Sequence, residues 1–232
     1  MRILCVIPAR GGSKRIPRKN IKPFLGKPII AYSIQAALCA GIFDEVMVST
    51  DDEEIAGIAK QYGAKVPFYR SAETSNDYAI TVDVLKEVLN EYKKRGEVFE
   101  YICCIYPTAL FITPEKLRDS FKFMLDNGYD SVFPIVQYSY PIQRGLRIDE
   151  NQRVNMIWPQ FINSRSQELE PTYHDAGQFY FRSVEKLEET NTMKGENTCG
   201  IVTSEMEVQD LDTMTDWELA ELKFKRLYEN KV

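Results

Sequence analysis

Residues 3–20 read ILCVIPARGGSKRIPRKN, an apolar run that gives way directly to two glycines and five cations. ILCVI (3–7) has no polar face, which is the pattern of a strand covered on both sides in a parallel sheet. In open α/β sheets ligands bind beyond the carboxyl ends of the strands, so RGGS (10–13) stands where a ligand is expected. Paired glycines let the backbone approach a phosphate closely, and successive N–H groups form an anion-binding concavity. Lys14, Arg15, Arg18 and Lys19 add charge, and a guanidinium can grip phosphate oxygens through two parallel hydrogen bonds.

Working outward, apolar periodicity alternates between strand and helix. Residues 29–40 read as a helix ended by Gly41, with Pro28 in its first turn. Residues 45–49 are a second strand, followed by TDD (50–52) and a helix through Gln61. Residues 65–69 predict a short edge strand, because Pro67 has no N–H to donate to a ladder. A helix over 81–94, a strand over 101–105, a helix opened by Pro114 and closed by NG (127–128), and a strand over 131–136 follow. Alternation with right-handed crossovers predicts a three-layer α/β fold with a mostly parallel sheet, one domain over 1–232. The pattern breaks over 138–173, which is polar and carries Pro141, Pro159 and Pro171. A stretch so long and irregular reads as an inserted sub-structure for substrate contact or dimerisation. Regular structure is expected to resume at 178–181, 200–203 and 207–210, before a final amphipathic helix over 216–229.

The chain has 232 residues, 44% of them hydrophobic, enough for one substantial core. No apolar run approaches the ~20 residues of a membrane span, and residues 1–8 are too short for a signal peptide. Cys5, Cys39, Cys103, Cys104 and Cys199 show no CxxC spacing and read as buried free thiols of a protein in the reducing cytoplasm. Charge is unevenly spread: residues 1–43 hold eight Lys/Arg and no Asp or Glu, so with a net charge of −5 the rest carries −13. One basic loop is too small a surface for nucleic acid, and the acidic remainder would repel it. The cluster suits one small polyanion, against the bland alternative of a solvated basic loop.

Neither GxGxxG nor GxxxxGK[ST] occurs in this loop, so a dinucleotide fold and a P-loop ATPase are not supported. Asp210 and Asp212, two residues apart at an expected strand end, can point to one side and suit Mg²⁺, which bridges carboxylates to substrate phosphates. The competing reading is helix capping by Asp212 or Thr213. The lone His174 is open to two readings, a general base or a structural loop histidine.

Residues 7–20, with LGKPI (25–29) behind them, resemble the CMP-sugar synthetases of the acylneuraminate cytidylyltransferase family. The likeness continues through VSTDDEEI (48–55), SNDYAIT (75–81), PT (107–108) and DLDT (210–213), in the family's order. It implies a Rossmann-like nucleotidyltransferase that moves CMP from CTP to the anomeric 2-hydroxyl of an acidic nine-carbon sugar, a nonulosonic acid, with release of pyrophosphate. The resemblance implies that Arg10, Ser13, Lys14 and Lys19 contact the triphosphate. Asn20, Arg70, Ala79 and Thr81 are implied to surround ribose and cytosine, and Asp210 and Asp212 to hold Mg²⁺. Catalysis would fall to Arg10, Lys19, Asp210 and Asp212, through positioning and charge neutralisation. A homodimer with no nucleic-acid or membrane partner is implied.

The N-acetylneuraminate branch of that family usually reads LQPTSPLR and NGAIY where this chain has IYPTALFI (105–112) and AGQFY (176–180). YPTA and HDAGQFY are more similar to the pseudaminic acid branch, with legionaminic and N-acetylneuraminic acids as alternative substrates. The resemblance implies Tyr106, His174, Gln178 and Tyr180 around the sugar, and Arg165, Gln167 and Arg144 near its carboxylate. From a different class, a catalytically silent nucleotide-binding module would bind CTP without releasing pyrophosphate.

Overall fold

In the computed structural model, which describes residues 1–76 and 78–229, the first strand, β1 (Ile3–Pro8), is buried from Ile3 to Ile7. Successive strand residues face opposite sides. Ile3, Cys5 and Ile7 therefore join one apolar cluster and Leu4 and Val6 another. Asp77 of the SNDYAIT stretch lies outside the described residues.

After β1 come a two-stranded turn, β2 (Pro23–Phe24) and β3 (Lys27–Pro28), then α1 (Ile30–Ala40), β4 (Glu45–Ser49), α2 (Glu53–Gln61) and the short α3 (Ala72–Ser75). Next are α4 (Thr81–Lys94), β5 (Tyr101–Ile105), α5 (Pro114–Asp126) and β6 (Ser131–Gln137). The chain then leaves the sheet for a ribbon of β7 (Leu146–Ile148) and β8 (Val154–Met156) and returns in β9 (Tyr173–Asp175). It ends with β10 (Phe179–Ser183), α6 (Val184–Thr190), β11 (Thr198–Val202) and α7 (Met214–Phe224).

The sheet order is β11-β6-β10-β5-β1-β4, with β9 pairing to β6 off that path. β1 is parallel to β4 and β5, and β11 to β6, while β10 runs antiparallel between β5 and β6. One face of the sheet is covered by α1, α2 and α5, through Ile30, Ile34, Ile55, Leu117 and Phe121. The other is covered by α4 and α6, through Leu85, Val88, Tyr92 and Leu187. The expected three-layer, mainly parallel α/β fold is the observed one. No helix among the described residues is long and apolar enough to cross a membrane.

A third cluster matters most for the site. Ile16 of the basic loop, Phe24, Phe111, Leu211 and Trp217 pack together, with Leu211 fully buried and Ile16 2% exposed. Burying each aliphatic side chain is worth about 1.5–3 kcal/mol. This packing is what draws the segment before α7 onto a loop nearly two hundred residues earlier in the chain.

Three local expectations need correction, and one helix lay outside them. Residues 65–69 form no strand: Lys65 alone bridges to Met47, and the ladder stops before Pro67. Residues 207–210 are not a strand either, because side chains take the backbone carbonyls: Gln178 Nε2 donates to Glu207 O at 2.5 Å and Lys223 Nζ to Val208 O at 2.7 Å. α6 went unread in the sequence, since it is short, charged and buries only Leu187. Cys5, Cys103 and Cys104 are buried, but Cys39 is exposed and Cys199 intermediate. Desolvation pushes the Cys104 thiol up to about 12, which leaves it an inert apolar filler.

Candidate active site

The basic loop leaves β1 beside β4 and takes its shape from the β4–α2 turn. Ala9 N donates to Ser49 O at 2.9 Å and Gly11 N to Asp51 Oδ1 at 3.0 Å. A Cβ on Gly11 would stand 2.7 Å from Asp52 Oδ2, whereas one on Gly12 would meet nothing within 4 Å. The two glycines thus serve different ends: Gly11 admits an aspartate, and Gly12 keeps a face open to a ligand.

Asp52 caps α2 by accepting from Ile55 N at 3.0 Å, and its carboxylate pairs with Arg18, which holds a left-handed backbone with φ 54°. The Arg18 guanidinium holds the Asp52 carboxyl down at about 2. A depressed folded pKa contributes stability that is complete above the unfolded value near 4 and lost as pH falls toward 2. The Arg18 side chain is 39% exposed, so solvent screening reduces the effect. Asp52→Asn, which keeps the cap, should cost about 1 kcal/mol at pH 7, a deficit that fades between about pH 4 and pH 2. Denaturant unfolding of both proteins across that range reads it.

The opposite wall comes from the segment before α7. Lys19 Nζ donates to Leu211 O at 2.6 Å and lies 3.8 Å from Asp212 Oδ1, while Arg15 Nη1 is 2.5 Å from Asp212 Oδ2. The helix cap is Thr213: its hydroxyl accepts from Asp216 N, and Asp216 returns a bond to Thr213 N at 2.7 Å. Of the two residues offered as caps, Thr213 makes the bond, so neither Asp210 nor Asp212 is consumed in capping α7.

Between these walls lies a cleft of about 560 Å³. Its lining includes Arg10, Ser13, Lys14, Arg15, Lys19 and Asp210 together with Asn20, Arg70, Ala79, Thr81, Tyr106 and Thr108. Asn20 is buried, with Nδ2 donating to Arg10 O at 3.0 Å, and so sets the turn that presents Arg10. Arg10 Nη1 donates to Asn76 O at 3.1 Å. Arg70 is buried against Ser49, with Nη2 to the carbonyl at 2.7 Å and Nε to the hydroxyl at 3.1 Å, and desolvation lowers its pKa.

Tyr106 connects this cleft to two smaller cavities. One, of about 350 Å³, shares Tyr106, Thr108 and Asp210 with it and is also lined by His174. The other, of about 260 Å³, shares Thr81 and Tyr106 and is lined by Tyr180, Asp175 and Lys194. Tyr180 donates its hydroxyl to Asp175 Oδ1 at 2.8 Å, and Lys194 Nζ is 2.5 Å from Asp175 Oδ2. Burial raises the pKa of both Tyr106 and Tyr180, so both remain protonated donors. His174 Nδ1 lies 2.9 Å from Asp175 O, beside the Tyr138 ring.

The candidates Arg144, Arg165, Gln167 and Gln178 line neither this cleft nor the two cavities beside it. Arg144, Arg165 and Gln167 are exposed on the excursion between β6 and β9, where Arg144 reaches Ser166 and Arg165 lies 4.0 Å from Glu168. Gln178 is buried and spends its amide on Glu207 O. Asp175 and Lys194 escaped sequence reasoning as site residues: the aspartate lies inside a quoted motif, but nothing in TNTMKG (190–195) marks the lysine.

No group of three or more His, Cys, Asp or Glu able to hold a metal occurs among the described residues. Asp210, which lines the cleft, and Asp212, paired with the cleft residue Arg15, offer hard oxygen donors that suit Mg²⁺ only in company with substrate phosphates.

A parallel α/β sheet with a cationic loop after its first strand and a cleft at the strand ends defines a nucleotide-handling class. The whole fold is shared with the solved CMP:2-keto-3-deoxy-manno-octonic acid synthetase in complex with CTP, at a TM-score of 0.70 over 98% of this chain and 100% of that one, with 19% identity. Residues 4–184 match the family model described as Cytidylyltransferase, and the chain belongs to that family of nucleotidyltransferases. It is 42% identical over 231 residues, 99% of both chains, to the pseudaminic acid cytidylyltransferase of Campylobacter jejuni. It is 33% identical over 228 residues, 95% of both, to the CMP-N,N'-diacetyllegionaminic acid synthase of Legionella pneumophila.

Proposed function

We propose that this protein transfers CMP from CTP to the anomeric 2-hydroxyl of pseudaminic acid. The hydroxyl oxygen bonds to the α-phosphorus and loses its proton, the α–β bridging P–O bond breaks, and pyrophosphate leaves. What carries the reading is the cleft that joins Arg10, Ser13, Lys14 and Lys19 to Asp210 across a gap sized for a nucleotide. The full-length identity to a pseudaminic acid enzyme supports the choice of sugar.

In this reading Arg10, Lys14 and Lys19 neutralise the triphosphate, and Lys19 faces the charge that grows on the departing pyrophosphate. Asn20, Arg70, Ala79 and Thr81 enclose the nucleoside. Tyr106, Tyr180 and His174 surround the sugar. Mg²⁺, held by Asp210 and Asp212, would supply further neutralisation and ease loss of the hydroxyl proton. Arg144, Arg165 and Gln167 could reach a sugar carboxylate only if the excursion of one chain lay over another cleft. Tyr140, Leu146, Ile148 and Ile162 stand exposed on that excursion, and such an apolar surface favours a homodimer. Free thiols and a CTP substrate fit the cytoplasm.

The test is a panel of pseudaminic, legionaminic and N-acetylneuraminic acids with CTP and Mg²⁺, read by pyrophosphate release and kcat/KM. Pseudaminic acid should lead by about tenfold or more, a margin of the size that misplaced polar substituents impose. A lead by legionaminic acid would favour the second reading, for which the Legionella relative speaks. CTP binding with no turnover on any of the three would leave a silent nucleotide-binding module.

A further inference from the structure

We propose that Arg15 and Lys19 are shared between Asp212 and the phosphates of the nucleotide, so that Asp212 is locked until CTP arrives and CTP itself unlocks it. The inference rests on the transfer reading above. Arg15 Nη1 sits 2.5 Å from Asp212 Oδ2, and Lys19 Nζ 3.8 Å from Asp212 Oδ1. Both cations also line the cleft.

Three features argue for an exchangeable latch over a fixed structural pair. The Arg15 side chain is 69% exposed, and an exposed ion pair is worth little against a stronger competitor. Asp212 does not cap α7, a task that falls to Thr213. Among the described residues its carboxylate is held by these two cations alone. A triphosphate brings several negative charges and a set of fork-compatible oxygens to the same pair, and both cations turn to it. Asp212 is then an uncompensated carboxylate beside newly arrived phosphate oxygens, the mixed donor set that Mg²⁺ requires. Metal loading at Asp212 becomes conditional on nucleotide.

The consequence is a gain in affinity from the loss of an acidic site residue, measurable with no metal present. CTP is titrated calorimetrically into the whole protein in EDTA. Asp212→Asn should tighten CTP about threefold to fivefold relative to wild type, the size of one partly exposed ion pair no longer competing. In an Arg15→Gln background the same substitution should give less than half of that gain. Unchanged or weaker CTP binding by Asp212→Asn overturns the proposal. So does a gain that persists undiminished without Arg15, which would be plain repulsion between carboxylate and phosphate. Failure of the transfer reading looks different: wild type would then release no pyrophosphate with any of the three sugars, whatever Asp212→Asn does to metal-free CTP binding.

Discussion

Lys19→Ala should lower kcat/KM for CTP by about 10²–10³-fold, the loss seen when one preorganised donor to a developing oxyanion is removed. Lys19 spans the two walls of this cleft. It starts on the loop after β1, and its ammonium donates to Leu211 O at 2.6 Å while lying 3.8 Å from Asp212. Its side chain is 23% exposed, so water screens it less than it screens Arg15. Once the triphosphate has drawn it from Asp212, the Leu211 carbonyl still positions the lysine, so little further reorganisation is needed when charge grows on the leaving group. Lys19→Arg keeps the charge but not the fit, because a planar fork cannot replace a point donor in contact with the Leu211 carbonyl, and it should recover only part of the loss. Steady-state kinetics with thermal melts check this. A melt close to wild type with a collapsed rate supports the role, and a rate within threefold of wild type would refute it.

Much of this arrangement was legible in the sequence, and the exceptions have physical causes. The parallel core was readable because β1, β4 and β5 are buried on both faces and so carry apolar stretches, ILCVI, VMV and YICCI. Helix ends were readable where backbone chemistry is unambiguous: Gly41 takes φ 67° just after α1, and Thr113 with Pro114 opens α5. Residues 207–210 misled because β-branched and acidic residues imitate a strand end, while the partners that satisfy the carbonyls are a glutamine and a lysine from elsewhere in the fold. At the site, the residues on the loop could be named because they are consecutive. The Gly11–Asp52 contact could not, since it joins two motifs through a single missing Cβ. The Asp175–Lys194 pair, bonded to the Tyr180 hydroxyl, was equally hidden, being specified only by how β9 and the 191–197 segment meet.

Asp210→Ala and Asp212→Ala should each reduce kcat by about 10³-fold or more, and the double variant should be scarcely worse than either single one. Groups that act as a unit lose their joint effect with the first deletion, so the two costs do not add. The structure gives the pair this character. Asp210 lines the cleft, with Oδ1 accepting from Leu211 N at 2.8 Å, and buried Leu211 anchors the turn from which Asp212 comes within 3.8 Å of Lys19. Neither carboxylate caps α7, so replacement should leave the helix intact and the melting temperature nearly unchanged. Mg²⁺ titrations distinguish the metal role from simple electrostatics. For wild type the rate should rise to saturation with Mg²⁺, whereas for the variants the residual rate should be flat. Because Asp212 also restrains Arg15 and Lys19, its loss should leave metal-free CTP binding tighter even as turnover vanishes, opposite signs that a merely unfolded site could not produce. Wild-type rates for Asp212→Ala at every Mg²⁺ concentration would remove the metal from this pair of residues.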